Sequence, residues 1–435
     1  MVMQPVSAWG RIARETHQWV PLTDRSVAAD VIAAADKPGL PFGNGRSYGD
    51  VGLNAGKTLW AMRGLDRFIA FDRAQGLIEC EAGVLLKEII DLVLPQGWFL
   101  PVVPGTQFVT VGGAIANDVH GKSHHRQGSF GDHVEHLVLI RTDGTSIECG
   151  PQLRPDWFAA TVGGMGLTGV VTSARLRLRR VDGPWLDTET RTFESLDSFF
   201  DTSAESQRGW EHNVAWVDCA RGHGDVRGVF FRGNHITAKD AVRPARTKTF
   251  PLTPPVSLVN SLSLRLFNQL YYRMNRLQAG RSQQHYLPFF FPLDNLLEWN
   301  RMYGPRGFYQ YQCVVPPQTQ RDAIRELVAR IGRSGMGSFL AVLKTFGDRT
   351  APGLLSFPMP GTTLALDFPN LGASTLKLFD ELNAVVLNAG GRLYPAKDAC
   401  MPRAMFERGY PRLAEFLRFR DPGISSDMSR RLLGS

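Results

Sequence analysis

The sequence predicts an α+β protein of two domains, on three observations. A chain of 435 residues is long for one hydrophobic core, so division into two is expected. Its first part alternates short strand patterns with three glycine clusters, at 43–49, 105–121 and 163–169. From Phe308 onward a strand–helix–strand pattern occurs twice, which predicts an α+β sheet covered by helices on one face.

Taken in order, Thr23 or Asp24 can cap a helix through Ser26–Ala35, where Val27, Ala28, Val31, Ile32 and Ala35 recur at helical spacing. Pro38-Gly39 ends it, and Leu40-Pro41-Phe42 reads as a short strand running into the tight loop Gly43–Asp50. The third glycine of that loop is misplaced for a Rossmann fingerprint and no helical pattern follows, so it reads as a phosphate-type loop outside that fold. Strands near 68–72 and 76–81 form a hairpin, and a helix over 84–94 is broken by Gly97. His136–Arg141 and Thr145–Cys149 flank Thr142-Asp143-Gly144, a hairpin signal. A short helix near Pro155–Thr161 precedes the third glycine cluster, and a strand over 170–180 follows it.

The next part, from Pro184 to Tyr311, reads as irregular apart from Val256–Leu277, which is amphipathic, apolar and basic with few acids. That segment suits a flap or interfacial element meeting a lipid tail or an anionic surface. It equally suits a core-facing helix with a basic outer face. Strand 308–315, helix 319–332 and strand 337–345 are followed by strand 362–368, helix 374–389 and strand 391–394. Ser374 is the expected N-cap of the second helix and Gly390-Gly391 its stop.

Composition excludes several classes. With 43% hydrophobic and 21% charged residues the chain is an ordinary globular one. A net charge of +8 fits nucleic acid, an anionic membrane or a phosphate-bearing substrate. Arginines are scattered and no nucleic-acid motif occurs, so nucleic acid is the weakest of these. Five far-apart cysteines show neither a disulfide framework nor metal-ligand spacing, which fits a reducing compartment. The N-terminus is no convincing secretion signal and no apolar run reaches membrane-spanning length, so a cytoplasmic protein, at most peripheral on the inner face of the membrane, is expected.

The chain is organised around Pro101–Gly131, PVVPGTQFVTVGGAIANDVHGKSHHRQGSFG. Glycines let backbone approach a flat or anionic ligand, and unpaired N–H groups in such loops form anion-binding concavities. The stretch therefore reads either as a loop along a cofactor's diphosphate and ring, with His120 and Lys122 at the reactive end, or as a glycine-rich hairpin. Three glycine clusters beside strands favour the first, because together they outline one elongated ligand. The histidines His120, His124, His125, His133 and His136 invite a zinc reading, but their spacing lacks a metal-binding pattern, so no metal is expected.

GNGRSYGD, PGTQFVTVGGAIANDVHGKSHH, GSFGDHV and ATVGGMGLTGVV resemble the FAD-binding half of the vanillyl-alcohol-oxidase-type flavoenzymes. The resemblance is nearest to the decaprenylphosphoryl-β-D-ribose oxidase branch, the oxidising half of a lipid-phosphate sugar epimerase. It continues through FPLDNLLEWNRMYGPRGFYQYQCVVP, FLAVLKTFG, LSFPMPG, LDFPN, GGRLYPAKD and SDMSRRL. It implies an FAD-binding domain over 1–181, a substrate domain over 182–410 with an antiparallel sheet and covering helices, and a tail over 411–435 returning to the first domain.

By the same resemblance Gly43, Asn44, Gly45, Arg46, Ser47 and Tyr48 cradle the FAD pyrophosphate. Gly105, Thr106, Thr110, Gly112, Gly113, Asn117, His120 and Gly121 line the flavin, and Gly163, Gly166 and Val170 lie near the adenine half. Relatives that bind flavin covalently do so through a histidine in the first loop. Gly45-Arg46-Ser47 offers none, so non-covalent FAD is expected.

Flavin chemistry needs the hydroxyl oriented and its proton handled, and His120 is the candidate for either task, with Lys344 and Tyr48 beside it. Lys122 and Lys344 suit a substrate phosphate. Tyr48, Gln310 and Gln312 suit sugar hydroxyls, Trp216 an apolar wall, and Asp367 belongs to the same sheet. Against this, Gln310 and Gln312 alternate with Tyr309 and Tyr311 as an ordinary strand face would, and Lys344 reads equally as a solvated strand lysine.

Three departures stand out. Ala365 occupies the place of that branch's cysteine, Phe290 stands for a tyrosine of the substrate wall, and Arg418-Phe419-Arg420-Asp421-Pro422 lacks the lysine expected near the flavin. The implied activity is oxidation of a sugar hydroxyl to a ketone, at C2 of a polyprenyl-phosphate pentose, beside a short-chain NAD(P)H-dependent reductase. The alternatives are a sugar-alcohol or aldonolactone oxidase, or a flavin-binding partner subunit with little chemistry of its own.

Overall fold

The computed structural model describes residues 2–220, 226–237 and 247–434. Strands β1 (Val2–Ser7), β2 (Arg14–Pro21), β3 (Gly39–Phe42) and β4 (Thr58–Ala61) form a mixed sheet in the order β1-β2-β4-β3, with helix α1 (Ala28–Ala34) between β2 and β3. An antiparallel sheet follows in the order β5-β6-β10-β8-β9. It comprises the hairpin β5 (Phe68–Asp72) and β6 (Leu77–Glu81) with β8 (Val134–Ile140), β9 (Ser146–Cys149) and β10 (Val170–Arg177). A ribbon pairs β7 (Trp98–Phe99) with β11 (Arg179–Arg180). Helix α2 (Leu86–Val93) packs by its 3–4 spacing, burying Leu86, Ile89, Ile90 and Val93, and Gly97 ends the following turn at φ +79°.

The central stretch is neither a continuous loop nor a hairpin. It contains α3 (Val111–Ala116) and α4 (His124–Gln127). The Thr110 hydroxyl accepts the Gly113 N–H at 3.1 Å, an N-cap that holds a helical turn despite two glycines in it. Helix α5 (Pro155–Thr161) leads into the third glycine cluster as expected.

The part expected to be irregular instead supplies half of an eight-stranded antiparallel sheet. Strands β12 (Trp185–Phe193), β13 (His212–Val217) and β14 (Gly228–Ile236) lie there with α6 (Leu196–Gly209), followed by β15 (Lys248–Thr249), α7 (Ser261–Leu277), β16 (Gly280–His285), α8 (Tyr286–Phe290) and β17 (Leu296–Leu297). Strand β12 lacks clear apolar alternation because its polar side chains pair with one another and across the sheet, Glu189 with Arg191 on the same strand and with Arg232 of β14. Strands β18 (Phe308–Val315), β19 (Ala341–Phe346), β20 (Gly361–Pro369) and β21 (Arg392–Leu393), with α9 (Gln320–Ser334) and α10 (Ala373–Asn388), complete it. The order is β16-β12-β14-β13-β19-β20-β18-β21. Ser374 is not the N-cap of α10: Gly372 precedes the helix, and the Thr375 hydroxyl accepts the Leu371 N–H.

Alternation assigns the two faces of this sheet. Phe230 meets Phe199 of α6, and Tyr311 and Phe368 meet Phe379 of α10, so these helices cover one face. The register aligns Gln312, Ala365, Val342, Trp216 and Val229 in one row on the other face. Helices α11 (Arg403–Gly409), α12 (Leu413–Phe416) and α13 (Asp427–Leu433) end the described chain. Arg431 of α13 pairs with Asp50 at 2.8 Å, and the Tyr48 N–H donates to Ala396 O at 3.2 Å. One hydrophobic core runs through both halves. The α+β class with an antiparallel, helix-covered sheet stands as the sequence predicts.

Candidate active site

The three glycine clusters converge on one elongated cleft of about 350 Å³. Its first-half wall is Pro41–Gly49, Val51–Leu53, Pro104–Thr106, Phe108–Thr110, Gly112, Gly113, Ala116, Asn117 and Val119–Lys122, with Met165, Gly166, Gly169 and Val171. Gln310, Gln312, Leu340, Val342, Lys344, Ala365, Tyr394, Ala396 and Lys397 face them from the large sheet and its last loop.

Missing side chains make this convergence possible. A Cβ on Gly43 would stand 2.5 Å from the Thr110 hydroxyl, and one on Gly166, at φ +75°, 3.2 Å from the Pro41 ring. The first loop is therefore seated between the other two. Asn44 Nδ2 donates to Phe108 O at 2.7 Å, and the Arg46 guanidinium lies 4.4 Å over Trp9. A Cβ on Gly105 would meet nothing within 4 Å, so that backbone borders open cleft.

Two of the residues expected beside the adenine half stay out of the cleft. Gly163 abuts Ser356, and Val170 is wholly buried in the core, pointing away from its neighbours Gly169 and Val171, which do line the cleft.

At the other end His120 is enclosed by the rings of Phe346, Phe357 and Tyr394. Gln312 Nε2 donates to its Nε2 at 2.9 Å, and its Nδ1 is buried without a protein partner. Burial, with Lys344 nearby, holds His120 well below the usual imidazole range, so the ring is neutral. Lys344 donates to Gly121 O at 2.7 Å and Lys122 to Phe290 O at 3.1 Å. Burial lowers Lys344 to about 7 and Lys122 to about 8. Tyr48 is pushed well above the phenol range by burial and by Asp367.

Gln310 and Gln312 are on the cleft face and Lys344 is buried, so the readings as a solvated strand face and a solvated lysine do not hold. Asp367 stands one layer behind, accepting from Gln310 Nε2 at 2.6 Å and from Tyr303 at 3.4 Å. Burial raises it to about 7. Trp216 is not a cleft wall: its indole donates to Phe339 O at 2.9 Å and packs on Tyr271 of α7, beyond the cleft end of its row. Phe290 is in the core against Phe99 and His212, and only its carbonyl reaches a cleft residue.

Arg418 and Arg420 do not reach the cleft either. Their segment is clasped elsewhere, with Thr142 donating to Asp421 Oδ1 at 2.5 Å and Arg141 to Phe419 O at 2.7 Å.

The cationic group expected in that segment comes from Lys397, which the sequence reading missed. Its Nζ lies 3.8 Å over the Tyr48 ring, and burial lowers it to about 7 although Asp367 opposes the shift. Its signal was GGRLYPAKD, where a lysine follows a short strand that the register seats beside β18. The five histidines scatter: His124 accepts from the Gly347 N–H, His125 bonds Trp210 O, His133 bonds Gln127 O and His136 faces Glu148.

A long groove with backbone glycines along one end fits a dinucleotide cofactor. Arg46 Nε, Asn117 Oδ1 and His120 Nδ1 are buried on its walls with no protein partner, as groups reserved for a ligand would be. The fold and this cleft fit a dinucleotide-dependent enzyme, and its relatives make it an FAD-dependent oxidoreductase acting on CH–OH groups.

Comparison with known proteins specifies it further. An FAD binding domain family matches residues 23–150. Decaprenylphosphoryl-β-D-ribose oxidase of Mycolicibacterium smegmatis is 35% identical over 98% of this chain and 96% of its own. The chain belongs to that oxidase family. More distant similarity joins a putative D-arabinono-1,4-lactone oxidase of Neurospora crassa, 28% identical over 34% of this chain and 27% of the relative. L-gulonolactone oxidase of Mus musculus is 28% identical over 31% and 30%.

Proposed function

We propose that this protein oxidises a secondary hydroxyl of a polyprenyl-phosphate-linked pentose, at C2, to the ketone. One observation carries the reading: Lys122, Lys344 and Lys397 all line the cleft, Lys344 buried and the other two half-buried, and each bonds only a backbone carbonyl or an aromatic face. A buried ammonium without a counter-ion is costly unless a ligand supplies one. A neutral sugar alcohol or lactone would leave that cost in place. A phosphodiester removes it.

The chemistry that bound FAD would supply is hydride acceptance from the carbinol carbon. The backbone of Gly43–Ser47 would hold its diphosphate, and Gly105, Thr106, Thr110, Gly112, Gly113, Asn117 and Gly121 its ring system, without a covalent link. Lys122 and Lys344 would receive the substrate phosphate. Gln312 leaves His120 with its free proton on Nδ1, so a neutral His120 orients the hydroxyl as a hydrogen-bond donor. Lys397, lowered to about 7, is neutral in part of the population near pH 7 and takes the hydroxyl proton. Of the two roles expected of His120, orienting the hydroxyl is kept and proton acceptance passes to Lys397, because burial makes the imidazole a poor base. The division at 181 and 410 is proposed with these roles. So is a short-chain NAD(P)H-dependent reductase as partner, since a ketone on a lipid-linked sugar is useful only when reduced again.

The test is anaerobic mixing of the FAD-loaded protein with a polyprenyl-phosphate pentose while flavin absorbance is followed. Bleaching by this substrate, and not by free lactones or sugar alcohols, is expected. Bleaching by the free compounds alone would assign a lactone-oxidase activity, and an unchanged spectrum with all of them would leave a partner subunit. Acid precipitation should release the yellow colour to the supernatant. Colour in the pellet would refute the non-covalent assignment.

A further inference from the structure

Helix α7 is inverted relative to a core helix. Toward the sheet it buries Leu264, Asn268 and Tyr272, and the two polar side chains are bonded there, Asn268 to Asp218 at 2.7 Å and Tyr272 to Glu194 at 3.3 Å. Outward stand Leu262, Leu266, Leu270, Met274 and Leu277, from 51% to 88% exposed. At 3.6 residues per turn these five fall in one arc of roughly 120°. Arg265 and Arg276 are exposed along one flank of that arc, and exposed Arg273 stands just inside the same edge. No acidic residue occurs from Lys248 to His285, a span with five lysines and arginines.

This surface adjoins the cleft. Phe267 packs on Phe339 at 4.7 Å, and the next residue, Leu340, lines the cleft wall. Among the described residues no helix is long and apolar enough to cross a membrane. An apolar stripe rimmed by arginines is instead the pattern of a helix lying in a bilayer interface. A second copy on the same face would set arginine against arginine around a two-fold axis, which favours a lipid surface over self-association.

We infer that α7 docks the protein on an anionic phospholipid bilayer, its stripe among acyl chains and its arginines at headgroup phosphates. The inference deepens the lipid-linked substrate reading, and rests on it for the purpose of docking. It excludes a purely core-facing role for the helix.

The test uses the FAD-loaded full-length protein in co-sedimentation with vesicles of phosphatidylcholine alone or with phosphatidylglycerol. Binding is expected only with phosphatidylglycerol and should weaken with salt. The triple variant Leu262→Ser, Leu266→Ser, Leu270→Ser should lose at least about tenfold in partitioning. Its flavin spectrum, melting temperature and bleaching by a short-chain, water-soluble phosphopentose should match the parent.

Equal binding by parent and variant, or no binding by the parent, would overturn the inference. So would a parent dimer that the variant converts to monomer, since the stripe would then be a subunit interface. Vesicle binding without bleaching by the polyprenyl-phosphate pentose would sink the substrate reading alone. Bleaching in detergent without vesicle binding would sink α7 alone.

Discussion

The two faces of the eight-stranded sheet treat buried charge in opposite ways. On the face under α6, Arg232 is almost wholly enclosed and bonds Glu189, Glu205 and Ser206, while Arg191 bonds the same two carboxylates. On the cleft face, Lys344 is buried and Lys122 and Lys397 are half-buried, yet none has a carboxylate within ion-pair distance among the described residues. A structural charge brings its partner from the same chain. A charge kept for a ligand does not, and the buried ammonium burdens the fold until the ligand arrives.

The contrast breaks if substitutions on the two faces behave alike. Lys344→Met should lower the rate of flavin reduction by the lipid-linked substrate about 100-fold, the scale of a lost charge contact or proton-handling group, while leaving the protein at least as stable. Stopped-flow bleaching and a thermal melt measure both. Glu189→Gln should do the reverse. Of its two carboxylates Arg232 would keep only the exposed Glu205, the fold should lose about 2 kcal/mol, and the folded fraction should bleach at the parental rate.

A smaller effect sharpens the comparison through pH. Lys344 falls to about 7 in the folded chain against roughly 10.4 unfolded, so between these values the unfolded state holds more protons and stability rises with pH. The stabilisation of apo Lys344→Met over the parent should therefore be largest at or below pH 7 and fade toward pH 10. Melting both proteins across that range cancels the other titrating groups. A difference that grows with pH would contradict a buried, unpaired lysine.

Much of this was legible in the sequence. Glycines at 43–49, 105–121 and 163–169 announce close backbone approaches, and the strand–helix–strand spacing after Phe308 gives the helix-covered half of the sheet. What escaped did so for physical reasons. Strands β12 and β14 pair charges across the sheet, so their apolar period is masked. Helix α3 hides behind two glycines because its stability comes from the Thr110 cap and from packing rather than from propensity. Trp216 shares a row with cleft residues, but distance along that row, which only the register supplies, removes it from the wall. Lys397 lies 349 positions from Tyr48 in the numbering and meets it only in three dimensions, whereas the nearer-looking arginines of the tail are drawn away by Thr142.

The loop at Gly43–Gly49 is completed by residues far downstream in the sequence. Ala396 O receives its Tyr48 N–H, a Cβ on Gly49 would lie 1.7 Å from Asp398 O, and Arg431 anchors Asp50. An emerging polypeptide therefore cannot assemble this pocket while still on the ribosome's tunnel side of Arg431. Cofactor loading waits on the segment 396–431, and chains cut short before that arginine should be colourless.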